Sequence, residues 1–189
     1  MRNLLFVSIF VLGVFLYPGF LHAGDLDPKY HSKEEFSIKI PFGRNYNYTN
    51  ILVKRVVDGD TLLLESGERV RLIGIDTPEM HDSDKLTRDS KRSGVNASKI
   101  RAMGRKSYEF TKKILEGKRV SLEFDVEKYD KYKRLLAYVY LEDGTFVNAQ
   151  IVKEGYASLM TYPPNVKYAD LLLGLYQEAR QNQRGLWKD

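Results

Sequence analysis

Three short runs of β-branched and aliphatic residues, at 51–57, 61–65 and 69–75, follow one another with barely enough chain between them to turn, and nothing else in the sequence restricts the fold so tightly. The separators contain Asp58-Gly59 and Ser66-Gly67. Glycine enters the left-handed backbone of a tight turn without a Cβ clash, so such pairs close hairpins rather than crossovers. The spacing therefore predicts a three-stranded antiparallel meander.

Residues 119–124 and 135–141 form two further strand-like runs, and Glu142-Asp143-Gly144 turns the chain toward Phe146. Between the third and fourth runs, Ile100, Met103, Ser107, Phe110 and Ile114 recur at helical spacing until Gly117. Asn148 is suited to cap a short helix that Gly155 closes. Tyr168, Leu171, Leu172, Leu175, Tyr176 and Ala179 mark a last long helix ending before Gly185. Five strands with a helix inserted between the third and fourth predict an α+β chain that is mainly β: a five-stranded OB-fold Greek-key barrel with about three helices. Other α+β folds share this pattern.

Met1 and Arg2 precede an apolar stretch at 4–17, followed by Pro18-Gly19 and the small residue Ala23. The stretch falls short of the ~20 residues that a membrane span needs. A basic start, a short apolar run and a small residue are the parts of a secretory signal. Residues 1–23 are expected to be a signal peptide cleaved after Ala23, leaving a secreted or periplasmic protein; an uncleaved N-terminal anchor is the alternative. Residues 24–50 read as a polar tail or an edge strand, and residues 51–189 as the folded domain. Residues 80–98, charged, Ser-rich and almost without apolar side chains, read as a mobile surface loop with solvated charges.

The chain has no cysteine and three histidines. That excludes thiolate zinc sites, disulfide scaffolds and cysteine nucleophiles, and leaves little for an imidazole site. Thirty Lys and Arg against 25 Asp and Glu give +5, a sign that favours nucleic acid, phosphate or anionic lipid. Chemistry then falls to carboxylates and arginines. Taken alone, Asp58-Gly59-Asp60-Thr61 is a hairpin turn and Asp76-Thr77-Pro78-Glu79 a capped proline turn. Brought together at neighbouring strand ends, Asp60, Asp76 and Glu79 suit a hard cation such as Ca²⁺, which binds through oxygen. Arg71 and Arg134 are surface charges taken singly and an anion clamp taken together. A guanidinium fork matches the oxygens of a phosphodiester gaining charge under attack. Arg71 and Asp76 lie five residues apart, which a regular strand sends to opposite faces, so a bulge at Gly74 is expected.

Residues 57–79, VDGDTLLLESGERVRLIGIDTPE, resemble the signature of the staphylococcal nuclease (thermonuclease) family. The likeness continues through Glu109-Phe110-Thr111-Lys112-Lys113, Asp130-Lys131-Tyr132, Arg134, Leu136-Ala137-Tyr138, Val147-Asn148 and Gly185-Leu186-Trp187. The resemblance implies an OB-fold barrel and Ca²⁺-dependent hydrolysis of DNA and RNA to 3′-phosphate ends. The expected substrate is single-stranded or frayed nucleic acid, acted on by a monomer with no stable protein partner. By the same resemblance Asp60 and Asp76 bind the metal, with Thr77 lending a backbone carbonyl. Glu79 positions or deprotonates the attacking water, Arg71 and Arg134 bind the phosphate, and Tyr132 lies near the nucleotide phosphate. Tyr162 is the candidate for base stacking, where the staphylococcal enzyme pairs two tyrosines. Lys133 stands where the family often has Gly, and the 80–98 segment is longer than in the staphylococcal enzyme. The rival reading is a catalytically silent OB-type module that binds nucleic acid or protein. The presence of Asp60, Asp76, Glu79, Arg71 and Arg134 together favours the enzyme.

Overall fold

A computed structural model describes residues 48–188, so the expected signal peptide and nearly all of the 24–50 segment lie outside the described residues. In chain order the elements are β1 (Tyr48–Asp58), β2 (Thr61–Leu64), β3 (Arg69–Leu72), β4 (Gly74–Asp76), α1 (Asp84–Ser93), α2 (Ala97–Leu115), β5 (Arg119–Glu123), β6 (Leu135–Leu141), α3 (Val147–Lys153), β7 (Ser158–Met160) and α4 (Ala169–Gln181). A 3₁₀ turn, Gly185–Trp187, follows.

Five strands close into a barrel in the order β1-β2-β3-β6-β5. The meander is as the turns require: Asp58 pairs with Thr61 across the first hairpin, and Thr61 with Arg71 across the second. Closure comes from a parallel pairing of β3 with β6 and an antiparallel pairing of β5 with β1. Closing a sheet leaves no unpaired edge, and the register shifts along β1 supply the bend it needs. Inward side chains alternate along the strands. Val53, Leu62, Leu64, Val70, Leu72, Val120, Leu122, Leu135 and Val139 are all buried and fill the interior. The fold is thus the expected OB-type barrel, mainly β, with four α-helices among the described residues instead of about three.

The third run does not remain one strand. Gly74 has φ +83°, a conformation that costs an L-residue 1–2 kcal/mol, and it divides the run into β3 and β4. A side chain there would also meet Leu172 Cδ1 at 2.5 Å. Past this corner β4 leaves the barrel and pairs with β7, a strand the sequence pattern did not reveal.

The 80–98 segment is a second correction, because it contains α1 and the start of α2. Capping holds α1 where hydrophobic periodicity is lacking. The Ser83 side chain accepts from the Leu86 amide, Asp84 sits in the first turn, and Gly94 ends the helix at φ +71°. Leu86 is its single buried residue. A third correction concerns Asn148, which caps nothing. Phe146 precedes α3 without a side-chain cap, and the buried Asn148 amide accepts from Val139 N–H (3.0 Å) and donates to Ile73 O (2.9 Å). It ties β6 to the β3–β4 corner.

Helix α2 crosses the barrel on a face of small residues. Gly104, Ser107 and Thr111 are buried between Ile100 and Leu115, so the contact face is turned slightly from the expected Met103, Phe110 and Ile114, which are half-buried. Thr111 Oγ1 donates to the Gly59 carbonyl (2.8 Å) and fixes the β1–β2 turn. Gly104 lies against the Pro78 and Glu79 backbone.

Candidate active site

The β1–β2 turn, β4 and the segment after it bring Asp58, Asp60, Asp76 and Glu79 to one end of the barrel. Asp60 is buried, and its carboxylate is the hub. Oδ2 accepts from the Thr77 amide (3.0 Å) and hydroxyl (3.1 Å), and Oδ1 from the Thr61 hydroxyl (3.0 Å). Arg71 reaches across from β3, with Nη1 3.0 Å from Asp60 Oδ2 and Nη2 3.0 Å from Asp76 Oδ1. The break at Gly74 is what allows this, since it turns Asp76 to the side that Arg71 occupies.

Two residues of this cluster escaped the sequence reading. Asp58, taken as a turn residue, stands beside the Thr77 hydroxyl, and burial together with the charges of Asp60 and Glu79 pushes its carboxyl up to about 6. Lys85, taken as part of a solvated charge run, extends from α1 into the carboxylates. Its ammonium lies 2.9 Å from Asp76 Oδ1, 3.1 Å from Glu79 Oε1 and 3.2 Å from the Thr77 carbonyl. Burial works against the charge on Lys85, but the Asp76 carboxylate and the hydrogen bonds outweigh it, and the pKa is raised. Asp76 is raised by burial in spite of Lys85. No sequence signal marked Lys85, because a lysine at the start of a polar helix looks like any solvated one.

These oxygens suit a hard cation. Among the described residues no three carboxylate or imidazole side chains form a ready cage. The Asp76 carboxylate, the Thr77 carbonyl and the Glu79 carboxylate nevertheless surround a positive charge, that of Lys85. The donor set is all oxygen, which suits a hard cation such as Ca²⁺.

Arg71 also opens onto a second region. It lines a cleft of about 520 Å³ together with Arg134, Tyr132, Tyr162, Tyr129 and Asp130. Arg71 and Leu136 are register partners on the adjacent strands β3 and β6, and Arg134 lies two residues before Leu136. The register puts Arg71 and Leu136 side by side on one face of the barrel, and Arg134, just before β6, lines the same cleft. Arg134 is aimed by Asp130, whose Oδ2 accepts from its Nε (2.7 Å) and whose Oδ1 accepts from its amide (2.9 Å) and from that of Tyr132 (2.8 Å). Burial of Asp130 opposes ionisation, but these hydrogen bonds dominate and hold its pKa below the usual value. Neither Nη of Arg134 has a partner among the described residues. The intervening Lys133 takes φ +60°, the conformation that a glycine would adopt there without strain.

Tyr132 and Tyr162 are 69% and 70% exposed, and Tyr129, another residue that the sequence reading passed over, is 51% exposed. Three uncovered rings at one cleft offer flat apolar surfaces, and the Lys131 and Arg134 cations lie 5.1 and 5.5 Å from the Tyr132 ring centre. The structure therefore gathers Asp60, Asp76, Thr77, Glu79 and Arg71 into one polar cluster, and Arg134, Tyr132 and Tyr162 into the adjoining cleft. Arg71 is common to both.

Known proteins resemble this chain over most of its length. The family described as "Staphylococcal nuclease homologue" matches residues 69–189. A thermonuclease of Staphylococcus intermedius is 42% identical over 140 residues, which cover 72% of this chain and 75% of the relative. The endonuclease YncB of Bacillus subtilis is 32% identical over 163 residues, covering 83% of this chain and 71% of the relative. A thermonuclease of Staphylococcus hyicus is 31% identical over 148 residues, covering 77% and 79%.

Proposed function

This chain belongs to the staphylococcal nuclease family, and from that premise we propose that it is an exported, Ca²⁺-dependent nuclease that cleaves DNA and RNA to 3′-phosphate ends. The observation that carries the reading is the double placement of Arg71, paired with Asp60 and Asp76 on one side and open to the tyrosine-lined cleft on the other. A phosphodiester bound in that cleft meets Arg71 and Arg134 as hydrogen-bond donors, and its neighbouring bases find the exposed Tyr129, Tyr132 and Tyr162 rings. Such a cleft accepts a splayed single strand more readily than a stacked duplex, which favours single-stranded or frayed substrate. One chain carries the whole set, so a monomer suffices.

In this mechanism Glu79 takes a proton from the water molecule that attacks the phosphorus, and the bond to the 5′ oxygen breaks, that oxygen taking a proton from solvent to leave as a hydroxyl while the phosphate stays on the 3′ side. Arg71 and Arg134 bind the equatorial oxygens as charge builds on them. Asp60, Asp76 and the Thr77 carbonyl are the residues to hold Ca²⁺, whose charge would offset that of the phosphate under attack. Residues 1–23 direct export and are removed after Ala23, and mass spectrometry of the exported protein reads the cleavage directly.

The test is digestion of single-stranded DNA and RNA in Ca²⁺ and in chelator, with Glu79→Gln alongside. We expect cleavage only with Ca²⁺, 3′-phosphate termini, and a Glu79→Gln turnover lowered at least a hundredfold with nucleic-acid affinity retained. Cleavage at an unchanged rate in chelator, or by Glu79→Gln, would overturn the reading.

A further inference from the structure

Lys85 is the unusual member of the carboxylate cluster. Four carboxylates, Asp58, Asp60, Asp76 and Glu79, converge here, and the cations beside them are Arg71 and Lys85. The two cations are held differently. Arg71 is 12% exposed and reaches Asp60, Asp76 and the Leu72 carbonyl from inside a strand. Lys85 comes from α1 with its side chain 28% exposed, and its ammonium has three oxygen neighbours: the Asp76 carboxylate, the Thr77 carbonyl and the Glu79 carboxylate. Two of these, Asp76 and Thr77, are the groups that the reading above assigns to the metal. The third is the assigned base.

We propose that Lys85 is the resident cation of the metal-free site, so that a divalent ion binds only by displacing its ammonium, and Lys85 thereby sets the metal affinity of the enzyme. The inference rests on the reading of this cluster as a Ca²⁺ site. Its physical basis is that one ammonium and one divalent ion cannot share the Asp76 carboxylate and the Thr77 carbonyl at about 3 Å without strong repulsion. The displacement is local. Lysine carries its charge on four flexible methylenes and hydrates strongly, so it can swing to solvent. Helix α1 stays in place meanwhile, because buried Leu86 and the Ser83 cap anchor it independently of Lys85. Leaving the oxygens also frees Glu79 from its ion pair, so metal binding and release of the base are one event.

The test is calorimetric titration of Ca²⁺ into the metal-free full chain, for wild type, Lys85→Met, Lys85→Gln and, as a control on the exposed face of α1, Lys91→Met. Removal of the competing charge should tighten Ca²⁺ binding at least tenfold in both Lys85 variants and leave Lys91→Met unchanged. The same variants should melt lower than wild type in chelator and recover in Ca²⁺, since the carboxylates lose a counter-charge that the metal restores. In wild type, acylation of Lys85 by an amine-reactive reagent should rise when Ca²⁺ is added, and that measurement needs no variant to fold. Equal affinity in wild type and both Lys85 variants, or Lys85 labelling that is unchanged by Ca²⁺, overturns the proposal while leaving the metal site standing. Absence of Ca²⁺ binding in every protein overturns the site and the proposal with it.

Discussion

A Cβ placed on Gly104 would stand 2.6 Å from the carbonyl oxygen of Glu79 and 2.5 Å from that of Pro78. The backbone of α2 thus touches the backbone that carries the base, with no room for a methyl group. Alanine inside a helix is ordinarily about 1 kcal/mol better than glycine. Here the clash is with backbone, so Gly104→Ala should be destabilised by about 1–3 kcal/mol, as overpacking requires. Displacing Glu79 should also lower turnover more than nucleic-acid affinity. Urea unfolding and single-turnover cleavage measure the two effects, and a variant of raised stability and full turnover would contradict the packing argument.

Arg134→Lys separates charge from geometry. Arg134 spends Nε on Asp130 and keeps both Nη groups for a ligand, whereas lysine has a single nitrogen that either the carboxylate or the phosphate must take. Loss of one oxyanion donor costs about 3–4 kcal/mol in comparable sites, a fall of a hundredfold or more in rate. Cleavage of single-stranded DNA should drop accordingly, with folding and Ca²⁺ binding intact. Near-normal cleavage would remove Arg134 from the clamp.

Lys133 at φ +60° predicts the opposite kind of outcome. Glycine relieves the left-handed penalty but loses more chain entropy on folding, so Lys133→Gly should gain about 0.5–1 kcal/mol. Thermal melting checks this, and destabilisation would mean that the Lys133 side chain contributes more than its backbone strain costs. The glycine variant should cleave normally, because Asp130 and not residue 133 aims Arg134.

Asp130 gives a pH signature. Its pKa is held below the ordinary aspartate value by bonds from Arg134 and Tyr132, so the stability it contributes is present above about pH 4. That stability is lost as the pH falls through the lower, folded-state value. Asp130→Asn should flatten this part of the acid limb of a stability-against-pH curve and weaken cleavage by freeing Arg134. An acid limb identical to that of wild type would show that the interaction carries no net stability.

The barrel was legible in the sequence because hairpin turns and alternating apolar residues are local signals. Gly74, Arg71 and Asp76 even posed their own puzzle, since spacing sent the two side chains to opposite faces until the glycine broke the strand. The likeness to the nuclease signature named Asp60, Asp76, Glu79, Arg71 and Arg134, and the fold brings the first four into one cluster and the last within the same cleft as Arg71. Lys85 and α1 were hidden for the converse reason: α1 is held by a serine cap, a glycine stop and one leucine, and carries no apolar stripe to read. Strand β7 is three residues long and half-buried, too short for any period to show. Asn148 misled because an asparagine at the start of a helical run resembles a cap, and only the β3–β4 corner at Ile73 reveals what its amide holds.

The parallel register of β3 and β6 has a kinetic consequence. Arg71 rides on β3 and Arg134 immediately precedes its neighbour β6, and slipping one strand past the other by a single residue would carry the arginine that leads into β6 out of register with Arg71. Their spacing is therefore settled when the chain folds, well before any ligand arrives. A nucleic acid encountering the cleft has no arginines to recruit and little ordering of the protein to wait for, so capture should proceed as a single step whose rate follows ionic strength, as expected for diffusion steered by charge toward a rigid receptor.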